Sequence, residues 1–404
     1  MLTTFLNRAH SPYQAVLMAI EELEAAGFAA AKLSEIGGLE AGKYYVKVHD
    51  SALFAMVIPE EHDGAIHIAT AHTDFPCFKL KPQPDMKGET GNCQRLNVEP
   101  YGGMLKRTWF DRPLGIAGAV WTKGEDEFNP EMKLVDINEP IAVIPSLAPH
   151  MDREIETKKI DAQKELLPVV GLAGNGSIMD VIAERVGCEA EDILSMDVNL
   201  FACEGAIMAG VGHEFVMSKA IDNIASVAAL TEAMSAADGE GGHISMICLF
   251  DNEEIGSRTK QGADSNTLKL VLDQLPMDYE KSFIISVDGA HGVHPNYPEK
   301  SDPTSAVQVG KGIAIKTSAS QRYATDGRMI AMVRSICDGH KIPYQIHANK
   351  SGAPGGSTLG PIISAYIPVP ATDIGIPMLA MHSARELAAV KDYEALVAFV
   401  KCVM

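Results

Sequence analysis

The stretch HISMICLFDNEEIGS, residues His243–Ser257, decides how the rest of the chain is read. Its first eight residues, His243–Phe250, form a nearly continuous apolar run, the pattern of a strand covered on both faces. Asp251, Asn252, Glu253 and Glu254 follow at once, and Gly256 closes the group. In an open α/β sheet, ligands bind just beyond the carboxyl ends of the strands, so carboxylates leaving an apolar layer stand where chemistry is done. In extended backbone adjacent side chains point to opposite faces. One glutamate is therefore expected to bind a metal while its neighbour faces the water that the metal activates. An isolated Glu-Glu pair is more simply an acidic surface turn; its seat between a buried strand and a glycine argues for function.

The same arrangement recurs along the chain. The run Ala65–Ala71 ends in His72-Thr73-Asp74, and alternation puts Ile66, Ile68, Thr70 and His72 on one face. His72 and Asp74 then project the same way, with Asp74 able to accept from the imidazole and fix its tautomer. Alone, such a histidine is a satisfied structural residue. Asp222 opens a helical segment, 221–237, where the default role is a cap or a dipole partner. Asp288 closes the run Phe283–Val287, and an aspartate buried there is costly without a counter-cation. His382 follows Pro377-Met-Leu-Ala-Met381. Two histidines and several carboxylates are the inventory of a site for two divalent metals, which points to a metallohydrolase. Two rival motifs fail. His213-Glu214 lacks the second histidine of a zincin helix, and the glycines of Pro354–Gly360 lack a phosphate-binding lysine. Those glycines still suit a turn at a helix start, where amides can hold an oxyanion or a carboxylate.

Outward from these clusters the texture divides the chain. Residues 11–27 form a capped amphipathic helix, and short strands follow at Lys43–Val48 and Ala52–Ile58. From about 80 to 215 the strand-like stretches shorten, glycine and proline are scattered, and 152–165 is charged and exposed. An inserted domain at 81–215 is expected there, leaving 1–80 and 216–404 as a discontinuous catalytic domain. Strand–helix alternation then resumes, with Ile374–Met381 expected as one strand and Ser383–Val390 as a final helix. Strands separated by helices give an α/β fold.

Composition limits the partners. The 404 residues include 46% hydrophobic ones, ample for a core, and a net charge of −19 repels nucleic acid and anionic membranes. Seven scattered cysteines without a CxxC pair fit a reducing compartment. The N-terminus has no charged segment followed by an apolar one, and no run reaches the roughly 18–20 apolar residues of a membrane span. With Cys402 third from the end, no prenylation box is expected. A soluble, cytoplasmic protein is expected.

Ordered blocks over nearly the whole length resemble the aspartyl aminopeptidase family of dizinc metallopeptidases, in its bacterial form. They include Leu6-Asn-Arg-Ala-His-Ser-Pro-Tyr13, His72-Thr-Asp-Phe-Pro-Cys-Phe-Lys-Leu-Lys-Pro82, Thr108-Trp-Phe-Asp-Arg-Pro-Leu114 and Ile144-Pro-Ser-Leu-Ala-Pro-His150. They continue through Ile221-Asp-Asn223, Asp251–Ser257, Ala290-His-Gly-Val-His-Pro-Asn-Tyr297, Gly355-Gly-Ser-Thr-Leu-Gly-Pro361 and Ile376–Glu386. The resemblance implies a mixed-sheet catalytic domain with an inserted, β-rich dimerisation domain, and assembly of dimers into a dodecamer. It implies two divalent ions, Zn²⁺ with Co²⁺ or Mn²⁺ as alternatives, bridged by Asp222. His72 and Asp288 would complete one ion, Glu254 and His382 the other. Glu253 would be the general base, Asp74 the residue orienting His72, and His150 a residue reaching a neighbouring subunit's site. The reaction implied is removal of the N-terminal residue from a peptide, with Ser320, Arg322, Tyr323 and Gly356 on the substrate side. Members that prefer acidic N-termini carry a lysine before the Gln-Arg-Tyr block; this chain has Ser320 before Gln321-Arg322-Tyr323. A hydroxyl brings no positive charge, so neutral N-terminal residues are expected to be accepted at least as well. A second departure is Met104, where a third glycine after Gly102-Gly103 is usual.

Two alternatives accompany this reading. A related dizinc carboxypeptidase or deacylase would need an arginine for the substrate's terminal carboxylate, with Arg322 and Arg385 as candidates. A non-catalytic scaffold subunit would have no need of Glu253.

Overall fold

The computed structural model of the chain describes residues 1–86, 91–155, 157–353 and 355–404. They form two compact units. The first is Met1–Asp74, Ala206–Met381 and Glu386–Met404; the second is Phe75–Gly205 with His382–Arg385. Of the stretches singled out in the sequence, the glycine loop begins at Pro354 and the charged segment contains Glu156, and both residues lie outside the described ones.

The first unit is built on a nine-stranded mixed sheet. Its order is Ala29–Ala30, Gly42–Val48, Ala52–Ile58, Ile244–Phe250, Ile66–His72, Phe283–Val287, Ala371–Gly375, Ile313–Thr317, Tyr344–Ala348. The four strands from Ile244–Phe250 to Ala371–Gly375 run parallel to one another, with Phe250 opposite His72. Their carboxyl ends therefore share one edge, and that edge receives His72, Asp251 and Asp288. Strands Ala52–Ile58 and Ile313–Thr317 flank this group in antiparallel pairing.

Every residue of Ala52–Ile58 and of Ile244–Phe250 is buried, as a sheet covered on both faces requires. One face, with Ile66, Ile68, Met246, Cys248, Phe250 and Ile284, packs on Leu268, Val271, Leu359 and Ile363 from helices Thr267–Leu272 and Leu359–Tyr366. Helix Ile221–Ala236, buried along most of its length, packs against strands Ile66–His72 and Ile244–Phe250 and helix Val390–Val403. A second sheet of the same unit has the order Ile207–Ala209, Phe215–Ser218, Glu386–Ala389, Pro377–Leu379, Ala290–His291.

Two expectations are corrected here. The single strand Ile374–Met381 is two strands in different sheets, Ala371–Gly375 and Pro377–Leu379. Pro377 has no N–H to continue the ladder and restricts Ile376 before it. Just upstream, a Cβ on Gly375 would lie 1.6 Å from the Asp288 carbonyl oxygen, so only glycine passes there. The expected helix Ser383–Val390 is instead the strand Glu386–Ala389, and the helix begins at Val390. Glu, Leu and Ala favour helix, but pairing of Ser218 with Glu386 and Phe215 with Ala389 overrides that weak preference.

The second unit is an antiparallel sheet in the order Glu131–Ala142, Leu114–Thr122, Ile193–Ala202, Cys77–Asp85, Cys93–Tyr101, Val169–Leu172. Phe78 and Trp109 meet edge to face in its core, ring centres 5.1 Å apart. Helix Ile178–Val186, not anticipated from the sequence, starts with a capping box of Ser177 and Asp180 and stops at Gly187. Among the described residues no helix is long and apolar enough to cross a membrane.

Candidate metal centre

His72 is the last residue of its strand and is buried. Its Nδ1 lies 3.1 Å from the backbone carbonyl of Asp74 and 3.3 Å from Asp74 Oδ1. With that nitrogen as donor, Nε2 is turned to the other side, 3.5 Å from Asp222 Oδ1 and 3.7 Å from Asp288 Oδ1. These separations exceed a good hydrogen bond and resemble the spacing of donors around an ion. Donor atoms of His72, Asp222 and Asp288 lie within 4.8 Å of one another, as do those of His72, Glu253 and Glu254.

The glutamate pair reaches this point by a route the extended-strand argument did not foresee. Asn252 takes a left-handed φ of 63°, Glu253–Ile255 form a single 3₁₀ turn, and Gly256 reverses at φ 97°. In a turn, neighbouring side chains need not diverge, and both carboxylates converge on His72. The Asp74 carboxylate holds this turn, accepting the Glu253 N–H at Oδ1 (3.0 Å) and the Glu254 N–H at Oδ2 (3.1 Å). Asp222 is not a helix cap either: the capping residue is Ala220, and Asp222 has a non-helical ψ of 104°. Its N–H donates to Glu386 Oε2 at 3.0 Å, and the Asn223 amide donates to the Val287 carbonyl at 2.8 Å.

The electrostatics follow from crowding. Burial opposes charge on His72, yet Asp222, Asp288, Asp74 and Glu253 outweigh it and hold the imidazole well above its ordinary range. Burial pushes the Glu253 carboxyl up to about 8, with His72 pulling against it and Asp288, Glu254 and Asp74 adding to it. Asp288 divides its oxygens: Oδ1 faces His72, while Oδ2 is 3.5 Å from the ammonium of buried Lys316. Burial opposes that charge as well, and Asp288 leads the groups that keep it. Carboxylates gathered this closely in a buried site call for a cation, and one imidazole with several carboxylates is a nitrogen and oxygen donor set that zinc accepts.

The remaining candidates are described within their own units. His382 belongs to the short segment grouped with the second unit, where its Nδ1 is 3.1 Å from the Gly103 carbonyl. His150 is exposed in a turn of that unit. In the first unit, Ser320 and Arg322 are exposed, with Ser320 Oγ 3.1 Å from Ser318 Oγ and Arg322 Nη1 donating to the Gly355 carbonyl at 2.6 Å. Tyr323 is buried, its hydroxyl 3.4 Å from Asn349 Nδ2, and exposed Gly356 has open space where a Cβ would be.

Lys316, Glu386 and Asp373 are among the buried charged residues that escaped the sequence reading. Lys316 was signalled only as a lone charge in the run Ile313-Ala-Ile-Lys316. Glu386 had no signal, because its tract reads as helix. Asp373 joins two substrate-side segments, accepting the Ala324 N–H and the Thr358 hydroxyl, each at 2.6 Å.

Comparison with known proteins gives a consistent picture. The family model described as aminopeptidase I zinc metalloprotease (M18) matches residues 5–402. A probable M18 family aminopeptidase 2 of Clostridium novyi (strain NT) is 40% identical over 412 aligned positions, covering 97% of this chain and 95% of that protein. The cryo-EM structure of the Ape4 and Nbr1 complex contains a chain with TM-score 0.92 and 29% identity, over 99% of this chain and 84% of that one. The S. cerevisiae mApe1 dodecamer structure gives TM-score 0.86 and 25% identity, over 99% and 94% respectively.

Proposed function

The chain belongs to the aminopeptidase I (M18) family of zinc metalloproteases, and on that premise we propose that it removes N-terminal residues from peptides at a two-metal centre with Glu253 as general base. The observation that carries this reading is the convergence of His72, Asp222, Asp288, Glu253 and Glu254 at the carboxyl ends of parallel strands. Asp222 would be shared by both ions, His72 and Asp288 completing one and Glu254 and His382 the other. Bound zinc supplies a water whose pKa is lowered toward about 7 and draws off the charge that builds on the scissile carbonyl oxygen.

The chain's own groups do the rest. Glu253 takes a proton from the attacking water and returns it to the leaving amine. Asp74 keeps that base still, because its carboxylate holds the Glu253 and Glu254 amides while the His72 ring leans on the same residue. His382 donates from Nδ1 to Gly103, which leaves Nε2 for a metal. On the substrate side, Arg322 braces the Gly355 carbonyl, and Ser320 meets the first side chain without a charge. Neutral N-terminal residues are therefore favoured over acidic ones.

The unit containing Phe75–Gly205 is assigned to dimerisation, and His150 to a neighbouring copy's site. A relative solved as a dodecamer supports a homo-oligomer. Seven scattered cysteines without a CxxC pair fit work in the reducing cytoplasm.

The test is hydrolysis of aminoacyl chromogenic substrates with Asp, Glu, Leu, Met or Lys at the N-terminus, after chelation and again with Zn²⁺, Co²⁺ or Mn²⁺ restored. Metal-dependent cleavage of Leu and Met substrates ahead of Asp and Glu is expected. Strong acidic preference would refute the role given to Ser320, and no cleavage with any metal would refute the peptidase itself.

A further inference from the structure

Strand Ala371–Gly375 is buried throughout, yet its middle residue is the wholly buried Asp373. A carboxyl in such a place is costly unless its oxygens are used. Oδ2 accepts the Ala324 N–H and Oδ1 accepts the Thr358 hydroxyl, each at 2.6 Å. Ala324 directly follows residues 320–323, and Thr358 directly follows residues 355–357. These are the two segments given to the substrate side, and one buried carboxyl holds both of them where each ends.

The local geometry gives up ordinary stability to make this junction. Thr358 is the N-cap of helix Leu359–Tyr366, where a threonine oxygen usually accepts an amide of its own first turn. Here that bond is absent, and the hydroxyl is directed to Asp373. The Gly360 N–H is tied to a strand as well, donating to Ser286 Oγ at 3.1 Å. A Cβ on Gly360 would lie 2.5 Å from Asp373 Oδ2, so the helix start approaches the carboxyl as closely as only glycine allows. On the other side the Asp373 N–H donates to Thr325 Oγ1 at 2.8 Å. Backbone and side chain of Asp373 thus bind both residues that follow Tyr323.

A second link joins the same two segments at the surface, where exposed Arg322 donates to the Gly355 carbonyl at 2.6 Å. An exposed arginine is held loosely by one such bond, whereas a buried carboxyl between two donors sets a distance. The spacing of the segments is therefore decided at Asp373.

We propose that Asp373 is a positioning residue for the peptidase reaction, fixing residues 320–323 and 355–358 at the separation that receives the first side chain of the substrate. Being buried beneath both segments, it touches no substrate atom and acts through Ala324 and Thr358. The inference rests on the aminopeptidase reading above and deepens it, naming what sets the fit of that side chain. Its signature follows from where it acts. A loosened junction weakens the hold on substrate and transition state alike, which raises KM and leaves kcat nearly unchanged. It also blunts discrimination between a large first side chain and a small one.

The test measures kcat and KM separately on Leu and Ala chromogenic substrates, with the zinc-loaded full chain and its variants Asp373→Asn, Thr358→Val and Thr358→Ser. Zinc analysis and melting verify that each variant is folded and loaded. Thr358→Val keeps the shape but not the donor, and is expected to raise KM for the Leu substrate by about tenfold with kcat within about threefold. Its preference for Leu over Ala should fall by a similar factor. Asp373→Asn leaves an amide N–H₂ facing one of the two donors, so its effect should have the same direction and be larger. Thr358→Ser restores the hydroxyl and should recover most of the loss. Unchanged KM and preference in folded Thr358→Val would overturn the inference, as would a loss confined to kcat or a Thr358→Ser no better than Thr358→Val. In each of those cases the parent still cleaves, and the aminopeptidase reading stands. A zinc-loaded parent that cleaves neither substrate would overturn both.

Discussion

The strand Ile66–His72 carries a histidine near each end, and the two meet opposite surroundings. His67 stacks on His243 with ring centres 3.7 Å apart and lies 4.1 Å from the Phe283 ring. Its Nδ1 is 2.9 Å from the Val403 carbonyl, and burial, then the neighbouring His243, bring it down to about 4. His72, at the other end of the strand, is more deeply buried, yet Asp222, Asp288, Asp74 and Glu253 hold it well above its ordinary range. Residue type and strand are the same; what differs is which edge of the sheet the ring occupies. Parallel strands deliver their following loops to one edge only, so the carboxylates of Glu253, Glu254 and Asp288 collect there, and the start of helix Ile221–Ala236 adds Asp222. The other edge is left to packing. One end is arranged for a cation, the other for a neutral ring.

The sharpest way to break this comparison is to remove the base at the charged end. Glu253→Gln is expected to lower kcat/KM by about 10²–10⁴-fold with zinc content unchanged, while His67→Gln leaves turnover within about threefold. Parental turnover in Glu253→Gln, measured beside metal analysis, would remove the residue from the mechanism. Next in size is the metal itself. Ligand binding to the folded state at about 100 times its dissociation constant contributes about 2.7 kcal/mol, so chelation should lower the melting temperature and zinc should restore it. Hydrogen exchange should quicken at the amides of Thr73, Glu253, Glu254 and Asp288 and stay unchanged at Ile66–Ile68. Equal quickening at both ends would mean that the cation stabilises the unit as a whole.

Smaller again is the effect of the support behind Asp222. Glu386→Ala removes the acceptor of the Asp222 N–H, and loss of such a support weakens metal affinity by about 10–100-fold. Competition with a chromogenic chelator reads this directly. Unchanged affinity would mean that the helix Ile221–Ala236 alone holds the aspartate.

How much of this was legible depends on what writes a signal into sequence. Ala52–Ile58, Ile244–Phe250 and Phe283–Val287 were readable because strands in a covered sheet are apolar throughout, and the residue that follows such a run stands out. The convergence of Glu253 and Glu254 was not readable, since it depends on a left-handed Asn252 that any strand-end sequence could carry. The tract after Met381 misled because helix propensity is local, whereas the pairing of Glu386–Ala389 is with residues far upstream. Lys316 and Glu386 were hidden for a related reason. A buried charge is identified by its partner, Asp288 in one case and the Asp222 amide in the other, and partners distant in sequence leave no periodic trace. Ser177 and Asp180, by contrast, spelled out a capping box ahead of Ile178–Val186, a signal present in the sequence but not used.

The smallest effect belongs to the neutral end, and its sign tests whether His67 is the opposite of His72. In the folded chain His67 titrates near 4, below the ordinary 6.5 of an exposed imidazole. Between these values the unfolded chain holds a proton that the folded chain does not, so acid favours unfolding. The stability linked to His67 is present in full above about 6.5 and is lost as pH falls through about 4. For one half-buried ring, the loss is on the order of 1 kcal/mol once solvent screening is allowed for. Carboxylates and metal ligands also titrate on the way down, so the measurement is a difference between two proteins. His67→Phe keeps a ring against His243 and Phe283 but cannot take up the proton. Its melting temperature should fall less steeply than the parent's from pH 7 to about 4.5, and the two curves should separate below about 6.5. Parallel curves would mean that the His67 proton is held equally in both states, and the contrast between the two ends of the strand would then lie in His72 alone.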